Sequence, residues 1–397
     1  MLSDHLPAYE ASGPDGAPVV VLGSSLGTDR HTWDEQVRLL ERRYRVVRYE
    51  LPGHGGSATR APGATIPVEP ATTGAGGRTI ADLGSGVLRL MDHLGVPAAH
   101  HVGLSVGGMV ATWLAVHHPE RVNRLALVCS SAHLPPAEKW LTRAAIVREQ
   151  GMGAIWESVV AGWFTPAWHD PQRLARIRET FLAVEPEGYA QCCEAIASTD
   201  LRPGLGDITA PVLAVAGAED RSTPPEMSEE LVAAVRAAGG DARLEVVDGA
   251  AHLSAVQQSA TVTALLLEHL DADRAGHAAG MRVRREVLGD AHVDRAQLGT
   301  TTLTVDFQDF ITRYAWGDVW ARPGLDRRTR SAITLALLAA LGHDGEFAMH
   351  VRAALRNGLT VDEIREVLLH LGVYAGIPVS NHAYGIAQRV LTEEGLG

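Results

Sequence analysis

The sequence predicts a chain of two domains: an α/β domain comes first and an all-α domain follows. Over the first 270 residues, short apolar runs rich in β-branched residues alternate with helical patterns, which is typical of a parallel sheet flanked by helices. From Met281 onward the patterns are helical, without a strong strand signal. A length of 397 residues also exceeds one ordinary hydrophobic core and suits two domains.

Composition narrows the possible classes of protein. A hydrophobic content of 46% and a charged content of 21% are those of a soluble globular protein. The formal net charge of -12 argues against a nucleic-acid partner and does not favour binding to an anionic membrane surface. The apolar run at 332–341 is too short for a membrane span, and the first residues lack the basic and apolar regions of a secretory signal.

The cysteines indicate the compartment. Cys129, Cys192 and Cys193 lack the spacing of metal ligands, and a set this small and odd in number favours a reducing environment. We therefore expect a cytoplasmic protein.

The α/β domain begins with a β-branched run at 18–22 that is typical of a buried strand. A loop of small residues follows at 23–29, and a helical segment extends from there to Leu40. The next strand is predicted at 44–50.

The connection to the next strand contains a Gly-rich turn at 51–57, a stretch of low complexity at 58–77 and a helix at 79–94. His54 lies in the Gly-rich turn, so we assign it a structural role and not that of a base. The low-complexity stretch predicts a flexible surface loop.

A strand then ends in the letters GLSVG at 103–107, and a helix rich in small residues follows. This pattern predicts a nucleophile elbow, in which a sharp turn exposes the oxygen of Ser105. Both glycines are needed because a side chain there would collide with a neighbouring element. The N–H of Val106 at the start of the helix, and that of Leu26 in the 23–29 loop, are the predicted donors to an oxyanion.

Acidic and imidazole side chains follow later strands in the order that a catalytic triad requires. Three further strands are predicted, at 124–129, 211–216 and 243–247. Asp220 comes just after the second of these strands and His252 just after the third, so Ser105, Asp220 and His252 follow the chain order of α/β hydrolases. Histidine removes the serine proton and the carboxylate fixes its tautomer. Glu219 is the alternative acid.

Between the sheet strands, residues 131–200 hold helical patterns only, which predicts a cap over the active site. Its tryptophans either pack in the core or line the substrate pocket, and these are Trp140, Trp163 and Trp168. Its candidate carboxylate-binding residues are Lys139, Arg143 and Arg148.

The first domain is predicted to span residues 1–270, and a polar, Ala/Gly-rich linker follows at 271–280. Five or so helices are predicted in the compact domain at 281–397. They include segments at 307–316, 329–341 (a buried helix), 345–356, 360–370 (opened by a capping box) and 380–391.

A candidate site in the second domain combines acid/base and anion-binding groups without a metal. Glu346 and His350 lie four residues apart and so share one helix face, and His382 lies near the start of the last helix. Arginines cluster just before the helix at 329–341, at positions Arg327, Arg328 and Arg330. Each of these residues taken alone has an ordinary structural explanation.

The first domain resembles the 3-oxoadipate enol-lactone hydrolases. The segments that carry this resemblance are SSLGT at 24–28 with Trp33, LPGHG at 51–55, GLSVGG at 103–108, Asp220, and GAAH at 249–252. The elbow and triad define only the α/β hydrolase superfamily, whereas the SSLGT loop is more diagnostic because many relatives carry His-Gly there. Ser25, Trp140 and Arg143 are the residues that we expect to contact the substrate in this domain.

The second domain resembles the 4-carboxymuconolactone decarboxylases of the AhpD-like helical fold. The carriers are MRVRREVLG at 281–289, EFAMH at 346–350 and PVSNH at 378–382. Redox relatives of this fold use a Cys-x-x-Cys motif, and the domain contains no cysteine, which excludes thiol peroxidase chemistry.

The fusion of the two resemblances implies a bifunctional enzyme, because the two activities are consecutive steps in the protocatechuate branch of the β-ketoadipate pathway. The resemblance implies small lactone dicarboxylates as ligands, no cofactor, and self-association through the second domain. By hypothesis His350 donates the proton, Glu346 orients it, and Arg328 or Arg330 binds a carboxylate, with His382 as the alternative donor. The rival interpretation is a single-activity esterase or lactonase whose helical domain only oligomerises the chain.

Overall fold

The structure, a computed structural model, describes residues 6–57, 78–271 and 276–396. The chain divides into two compact units, Met1–Leu270 and Asp271–Gly397, and each is described here by itself. The surface loop predicted at 58–77 lies outside the described residues. No helix among the described residues is long and apolar enough to cross a membrane.

The first unit is built on a seven-stranded sheet. Its strands are β1 (Tyr9–Ser12), β2 (Val19–Gly23), β3 (Arg45–Tyr49), β4 (Ala99–Leu104), β5 (Val122–Val128), β6 (Val212–Gly217) and β7 (Ala242–Val247). The spatial order is β1-β3-β2-β4-β5-β6-β7, with β1 antiparallel to β3 and every other pair parallel. Because the parallel strands point the same way, the loops that follow β2, β4, β6 and β7 emerge at one edge of the sheet, which is where such folds place their sites.

Helices cover this sheet and supply the insert. They are α1 (Asp34–Leu40), α2 (Ile80–His93), α3 (Val106–His117), α4 (Ala137–Gln150), α5 (Trp156–Val160), α6 (Pro171–Ala183), α7 (Pro186–Ala197), α8 (Pro225–Ala237), α9 (Ser254–Gln257) and α10 (Ser259–Leu270). Helix α2 begins at a capping box in which Thr79 and Asp82 exchange side-chain and backbone hydrogen bonds.

The predicted strands of this unit are present, and their ends differ from the predicted ends by only one or two residues. Strand β1 was not predicted, because its four residues are mostly exposed and give no apolar pattern. The predicted α/β fold is therefore confirmed in a sheet of seven strands.

Helices α4 to α7 form the insert between β5 and β6. Its two ends meet at an antiparallel bridge between His133 and Asp200, and the N–H of Leu201 donates to the carbonyl of Ala132 at 2.9 Å. The insert therefore leaves and rejoins the sheet at one point, as a cap does.

The second unit is helical throughout its described residues. Its elements are α11 (His277–Leu288), α12 (Asp290–Leu298), α13 (Val305–Ile311), a π-helix (Thr312–Trp320), α14 (Arg327–Leu341), α15 (Asp344–Arg356), α16 (Val361–Ala375) and α17 (Ile377–Glu393). Phe347, Val351, Leu368 and Ile386 belong to the core that α14 to α17 share.

Five predictions for this unit differ from the structure. Helix α11 begins at His277, inside the predicted linker, whose residues 272–275 lie outside the described ones. The helix predicted at 307–316 is instead α13 followed by the π-helix. Apolar periodicity does not show where the backbone changes from α-helical to π-helical hydrogen bonding. The helix predicted to end at residue 370 continues to Ala375, and the last helix begins at Ile377, three residues early.

The fifth difference is α14, which was predicted to be buried. Only Ser331, Leu335 and Ala339 are buried along it, whereas Ile333 and Leu341 are exposed. The sequence there is apolar around the whole helix, and one face lacks a partner within this chain's described residues.

Candidate active sites

Ser105 stands on a strained turn between β4 and α3. Its φ is +56° and its ψ is -119°, values that a non-glycine residue adopts only when its surroundings enforce them. The Ser105 N–H donates to Val128 O at 3.0 Å, and the Ser130 hydroxyl donates to Ser105 O at 2.7 Å. These two bonds hold the turn on both sides.

The glycines beside Ser105 are required by close backbone contacts. A Cβ added to Gly103 would lie 2.3 Å from the carbonyl atoms of Gly107, and one added to Gly107 would lie 2.4 Å from Gly23 O. The second contact also places the end of β2, and the loop that follows it, directly against the elbow.

Ser105, His252 and Asp220 are joined by hydrogen bonds. His252 Nε2 lies 2.9 Å from Ser105 Oγ, and His252 Nδ1 lies 2.8 Å from Asp220 Oδ2. All three residues are buried. Because the Asp220 carboxylate accepts a hydrogen bond from Nδ1–H of His252, the proton of the neutral ring is on Nδ1. Nε2 is then free to accept the serine proton.

Asp220 is saturated with donors on both oxygens. Oδ1 accepts from the N–H groups of Ser222 and Thr223, and Oδ2 accepts from the Thr223 hydroxyl at 2.6 Å as well as from His252. Burial alone would raise the pKa of this carboxyl, but the charge and hydrogen bond of His252 and the bonds from Thr223 together lower its pKa. Glu219, the alternative acid, is exposed.

Thr223 was not predicted as part of this site. A Thr three residues after an Asp is a common turn pattern, in which the aspartate caps its own loop. Nothing in that pattern indicates that the carboxylate also faces a histidine.

The loop after β2 is shaped by a turn and by His54. The N–H and hydroxyl of Thr28 both donate to Ser25 O, at 3.1 and 2.8 Å. The Gly27 N–H donates to His54 Nε2 at 2.9 Å, while His54 Nδ1–H donates to Pro52 O at 2.8 Å. Burial lowers the pKa of His54 to about 4, so the ring stays neutral and Nε2 remains an acceptor at neutral pH. The structural role predicted for His54 thus takes the form of a brace on this loop.

Residues of the cap pack against the same loop. Gly27 has a φ of +83°, and an added Cβ would lie 2.8 Å from the ring of Phe181 and 3.4 Å from that of Tyr189. Tyr189 also stacks on His54, with ring centroids 6.3 Å apart. The cap therefore closes over the loop that carries Leu26.

The predicted substrate contacts in α4 lie beside Tyr189. The guanidinium of Arg143 lies 5.0 Å from the ring centre of Trp140, and its charge acts on the nearby Tyr189 hydroxyl. Trp140 is buried, and its indole N–H donates to Leu134 O at 2.8 Å. Arg148 instead forms salt bridges to Glu187 and Glu194, which occupy its charge.

The other two cap tryptophans pack against aromatic residues. Trp163 is buried against Trp156 and Phe181, and Trp168 stacks on Phe164 with ring centroids 3.8 Å apart.

In the second unit, His350 is buried on α15 and stacks on Trp320 of the π-helix, with ring centroids 6.2 Å apart. Its Nδ1 is buried and has no hydrogen-bond partner. Burial, and to a lesser degree the charge of His292, lowers the pKa of His350 to about 4, while Glu346 acts in the opposite direction. Neither Trp320 nor His292 was predicted, because periodicity does not show which helix ends converge.

Several residues predicted for this site lie away from His350 or are bonded to other side chains. Glu346 is exposed and makes no hydrogen bond to His350, so it does not orient the ring. His382 is exposed and its Nε2 lies 2.8 Å from Asp344 Oδ2. The predicted site thus separates into a buried His350 and a surface His382.

The two arginines predicted to bind a carboxylate are engaged by this chain. Arg328 is bonded to the Gly358 carbonyl and to the Glu363 carboxylate. Arg330 donates from Nη2 to Arg322 O at 3.0 Å, although its buried Nε has no partner. Arg328 therefore links α14 to α16, and the Glu363 carboxylate already neutralises its charge.

One group of potential metal ligands occurs among the described residues, and it was not predicted. Oxygen and nitrogen atoms of Asp271, His277 and Asp309 all lie within 4.8 Å of one another, and the three residues are buried. The Arg313 guanidinium lies 2.7 Å from Asp309 and supplies a positive charge to the group. We therefore interpret it as a structural charge network.

Comparisons with known proteins agree with these geometries. Residues 18–258 match the model of the alpha/beta hydrolase fold, and residues 306–389 match that of the carboxymuconolactone decarboxylase family. A 3-oxoadipate enol-lactonase of Acinetobacter baylyi is 35% identical over 252 residues, which cover 63% of this chain and 87% of that protein. The enol-lactonase from Burkholderia xenovorans, known from a crystal structure, is 35% identical in sequence to this chain, and the two structures superpose with a TM-score of 0.60. The match covers 66% of this chain and 95% of that one.

The second unit has its own relative. The 4-carboxymuconolactone decarboxylase of Acinetobacter baylyi is 48% identical over 124 residues, which cover 31% of this chain and 92% of that protein. The chain thus belongs to the α/β hydrolase family through its first unit and to the carboxymuconolactone decarboxylase family through its second. It is a fusion of an enol-lactonase-like unit and a decarboxylase-like unit.

Proposed function

We propose that the chain is a bifunctional enzyme that decarboxylates 4-carboxymuconolactone to 3-oxoadipate enol-lactone and hydrolyses that lactone to 3-oxoadipate. The hydrogen-bonded series Ser105–His252–Asp220, in a chain whose other unit is of the decarboxylase family, is the observation that carries this proposal. Relatives of the two units are named for these two activities, and the product of the first reaction is the substrate of the second.

In the hydrolytic step, Ser105 Oγ attacks the lactone carbonyl while His252 Nε2 takes the serine proton. The N–H groups of Val106 and Leu26 hold the oxyanion. The ring C–O bond then breaks, His252 returns the proton to the departing enol oxygen, and the enol tautomerises to the ketone. A water activated by His252 hydrolyses the acyl-enzyme, releasing 3-oxoadipate and restoring Ser105.

The lactone carries one carboxylate, and we propose that residues of the cap bind it. Arg143 is half-buried, linked to Tyr189, and thereby close to the loop that carries Ser25 and Leu26. We assign the carboxylate to Arg143, with Trp140 as the flat apolar wall and the Ser25 hydroxyl as a polar contact. The nearby charge of Lys139 adds to the positive field, and burial together with Arg143 lowers the pKa of that lysine.

In the decarboxylation step, the bond between the ring carbon and the leaving carboxylate breaks, and its electron pair delocalises into the butenolide carbonyl. The product forms when one proton is added to this dienolate, so the dianionic substrate plus one proton yields CO2 and a monoanion. His350 is the proposed donor, since it is buried against Trp320 and its Nδ1 is unpartnered. Its lowered pKa leaves the ring neutral before substrate binds, and the negative charge of the substrate then favours its protonation.

We further propose that the chain self-associates through its second unit. Large apolar side chains there are exposed on α14 and α16 and at the start of α17: Ile333, Leu337, Leu341, Leu369, Val373, Tyr374 and Ile377. An exposed apolar surface of this extent is typical of a protein interface. A second copy of this chain is the proposed occupant, since most soluble oligomers are symmetric assemblies of identical chains.

Cytoplasmic location is also a proposal. It is supported by the three cysteines, which are buried free thiols and include the adjacent pair Cys192 and Cys193.

The test of the function is turnover of carboxymuconolactone by the purified full chain, with CO2 and 3-oxoadipate measured separately. The proposal predicts equal amounts of both products. Hydrolysis of supplied enol-lactone without any release of CO2 from the carboxylactone would instead favour a single-activity lactonase with a helical oligomerisation domain.

A further inference from the structure

Arg284 of α11 is a buried cation without a carboxylate partner among the described residues. The residue is 4% exposed, its Nη1 donates to the Thr312 hydroxyl at 3.2 Å, and its Nε is buried without any hydrogen-bond partner. The partner that it does have is neutral. Burial lowers the pKa of this guanidinium, and so does the neighbouring charge of Arg285.

Such an arrangement is costly unless an anion enters the site. Burying an unpaired charge opposes folding strongly, and structural arginines in cores are normally matched by acids. The environment is also positive: after burial, the charges of Arg284, Arg295 and Arg356 lower the pKa of His292. Groups that lower the stability of the empty protein in this way are typical of ligand-binding sites.

The π-helix connects Arg284 to His350. It begins at Thr312, which holds the Arg284 guanidinium, and ends at Trp320, which stacks on His350. A Cβ added to Gly280 would lie 1.9 Å from Thr312 O, so that glycine allows α11 to approach the π-helix closely. Helix α15, which carries His350, packs on α11 as well, with Ala353 in the core that contains Val283 and Val287. Inserted π-helical turns occur frequently at functional sites.

We propose that Arg284 binds the carboxylate that the lactone retains when it loses CO2, with the Thr312 hydroxyl holding the guanidinium in place. This proposal rests on the decarboxylase activity proposed above. A cation on the leaving carboxylate would stabilise the ground state and oppose its loss, whereas a cation on the retained carboxylate anchors the substrate in both states. The leaving group then lies toward the apolar ring of Trp320.

The experiment uses the full chain carrying Ser105→Ala, which prevents the first unit from consuming the enol-lactone. That product keeps the retained carboxylate and lacks the leaving one, so its inhibition constant reports on the retained group alone. The KM for carboxymuconolactone and the inhibition constant of the enol-lactone are measured for Arg284→Gln and Arg284→Lys. Arg282→Gln is the matched control, because Arg282 lies on the same helix and is exposed.

We expect Arg284→Gln to raise both constants by at least about tenfold and by similar factors, with a smaller change in kcat. Arg284→Lys recovers part of the loss, since it keeps the charge without the planar fork. The melting temperature of Arg284→Gln is expected to be equal to or above that of the parent, because an unmatched buried charge has been removed.

Three results would overturn the proposal. A raised KM with an unchanged inhibition constant would assign Arg284 to the leaving carboxylate. A lowered melting temperature with both constants unchanged would make its role structural. If the Ser105→Ala chain releases no CO2 at all, the decarboxylase function itself fails and this proposal fails with it.

Discussion

The Thr223 hydroxyl donates at 2.6 Å to Asp220 Oδ2, the same oxygen that faces His252 Nδ1 at 2.8 Å. Thr223 therefore stabilises the ionised form of the carboxylate on which the histidine depends. Because this hydrogen bond lowers the pKa of Asp220, it extends the pH range in which the series Ser105–His252–Asp220 is correctly charged.

Replacing Thr223 by Val should reduce kcat/KM for enol-lactone by about tenfold, as expected for the loss of one hydrogen bond to a charged group. Removing the donor raises the pKa of Asp220, so the fall in activity on acidification should begin at a higher pH. The measurement is the pH profile of kcat/KM. Thr223→Ser keeps the hydroxyl and should restore the parent profile; a Val profile identical to the parent would show that Thr223 has no such role.

Replacing His54 should lower kcat for enol-lactone more than it changes KM. His54→Phe removes the acceptor of the Gly27 N–H, which releases the loop whose Leu26 N–H we propose as an oxyanion donor. We expect kcat for enol-lactone to fall by about tenfold or more, with KM changed little, because the loop contact matters most in the transition state. An increase in KM alone would indicate that His54 shapes the pocket and not the oxyanion site.

Acid should destabilise the first unit through its buried histidines. Burial lowers the pKa of both His54 and His101 to about 4, whereas a histidine in an unfolded chain titrates near 6.5. Between these values the unfolded chain binds protons that the folded chain does not, so the free energy of unfolding falls as pH falls from about 6.5 to about 4. Each shift corresponds to about 3 kcal/mol at most.

The measurement is the free energy of unfolding in urea, taken from the transition of the first unit at several pH values between 7 and 4.5. His101→Leu should flatten the dependence on pH, since His101 is buried in β4 and its Nε2 has no hydrogen-bond partner. The same substitution at the exposed His169 controls for the loss of an imidazole. An unchanged slope in His101→Leu would contradict the assignment.

In the second unit, His350 and His382 form a matched pair for mutagenesis. His350→Gln should lower the rate of CO2 release by about a hundredfold or more, the range of general acid catalysis. His382→Gln should have little effect, because that ring is exposed and paired with Asp344. The reverse result would return the role of donor to His382.

Self-association is tested by Val373→Glu. Val373 is 77% exposed on α16, among the apolar side chains proposed as the interface. A charge at the centre of an apolar contact should dissociate the oligomer, as measured by light scattering after size-exclusion chromatography. Leu141→Glu, at an exposed leucine of the first unit, is the control. A parent chain that is already monomeric would contradict the proposal.

Sequence reasoning located Ser105, Asp220 and His252 because each follows a strand, and parallel strands bring their carboxyl ends to one edge. It could not find Thr223 or His54 as partners, since their contacts depend on how two loops fold back. In the second unit it assigned helices within residues 307–391 but none to α11 or α12, and it misjudged the surroundings of α14. Arg284 and Trp320 are separated from His350 by 66 and 30 residues respectively, and apolar periodicity does not show that one π-helix contacts Arg284 through Thr312 and His350 through Trp320.

The central claim is that one chain holds two independent active sites. The most direct measurement is to supply carboxymuconolactone to the parent chain, Ser105→Ala and His350→Gln, and to follow CO2 and 3-oxoadipate separately. We expect Ser105→Ala to release CO2 at the parent rate and to accumulate enol-lactone, and His350→Gln to release little CO2 while hydrolysing supplied enol-lactone normally. Loss of both activities in either single variant, with the fold intact, would contradict the two-site account.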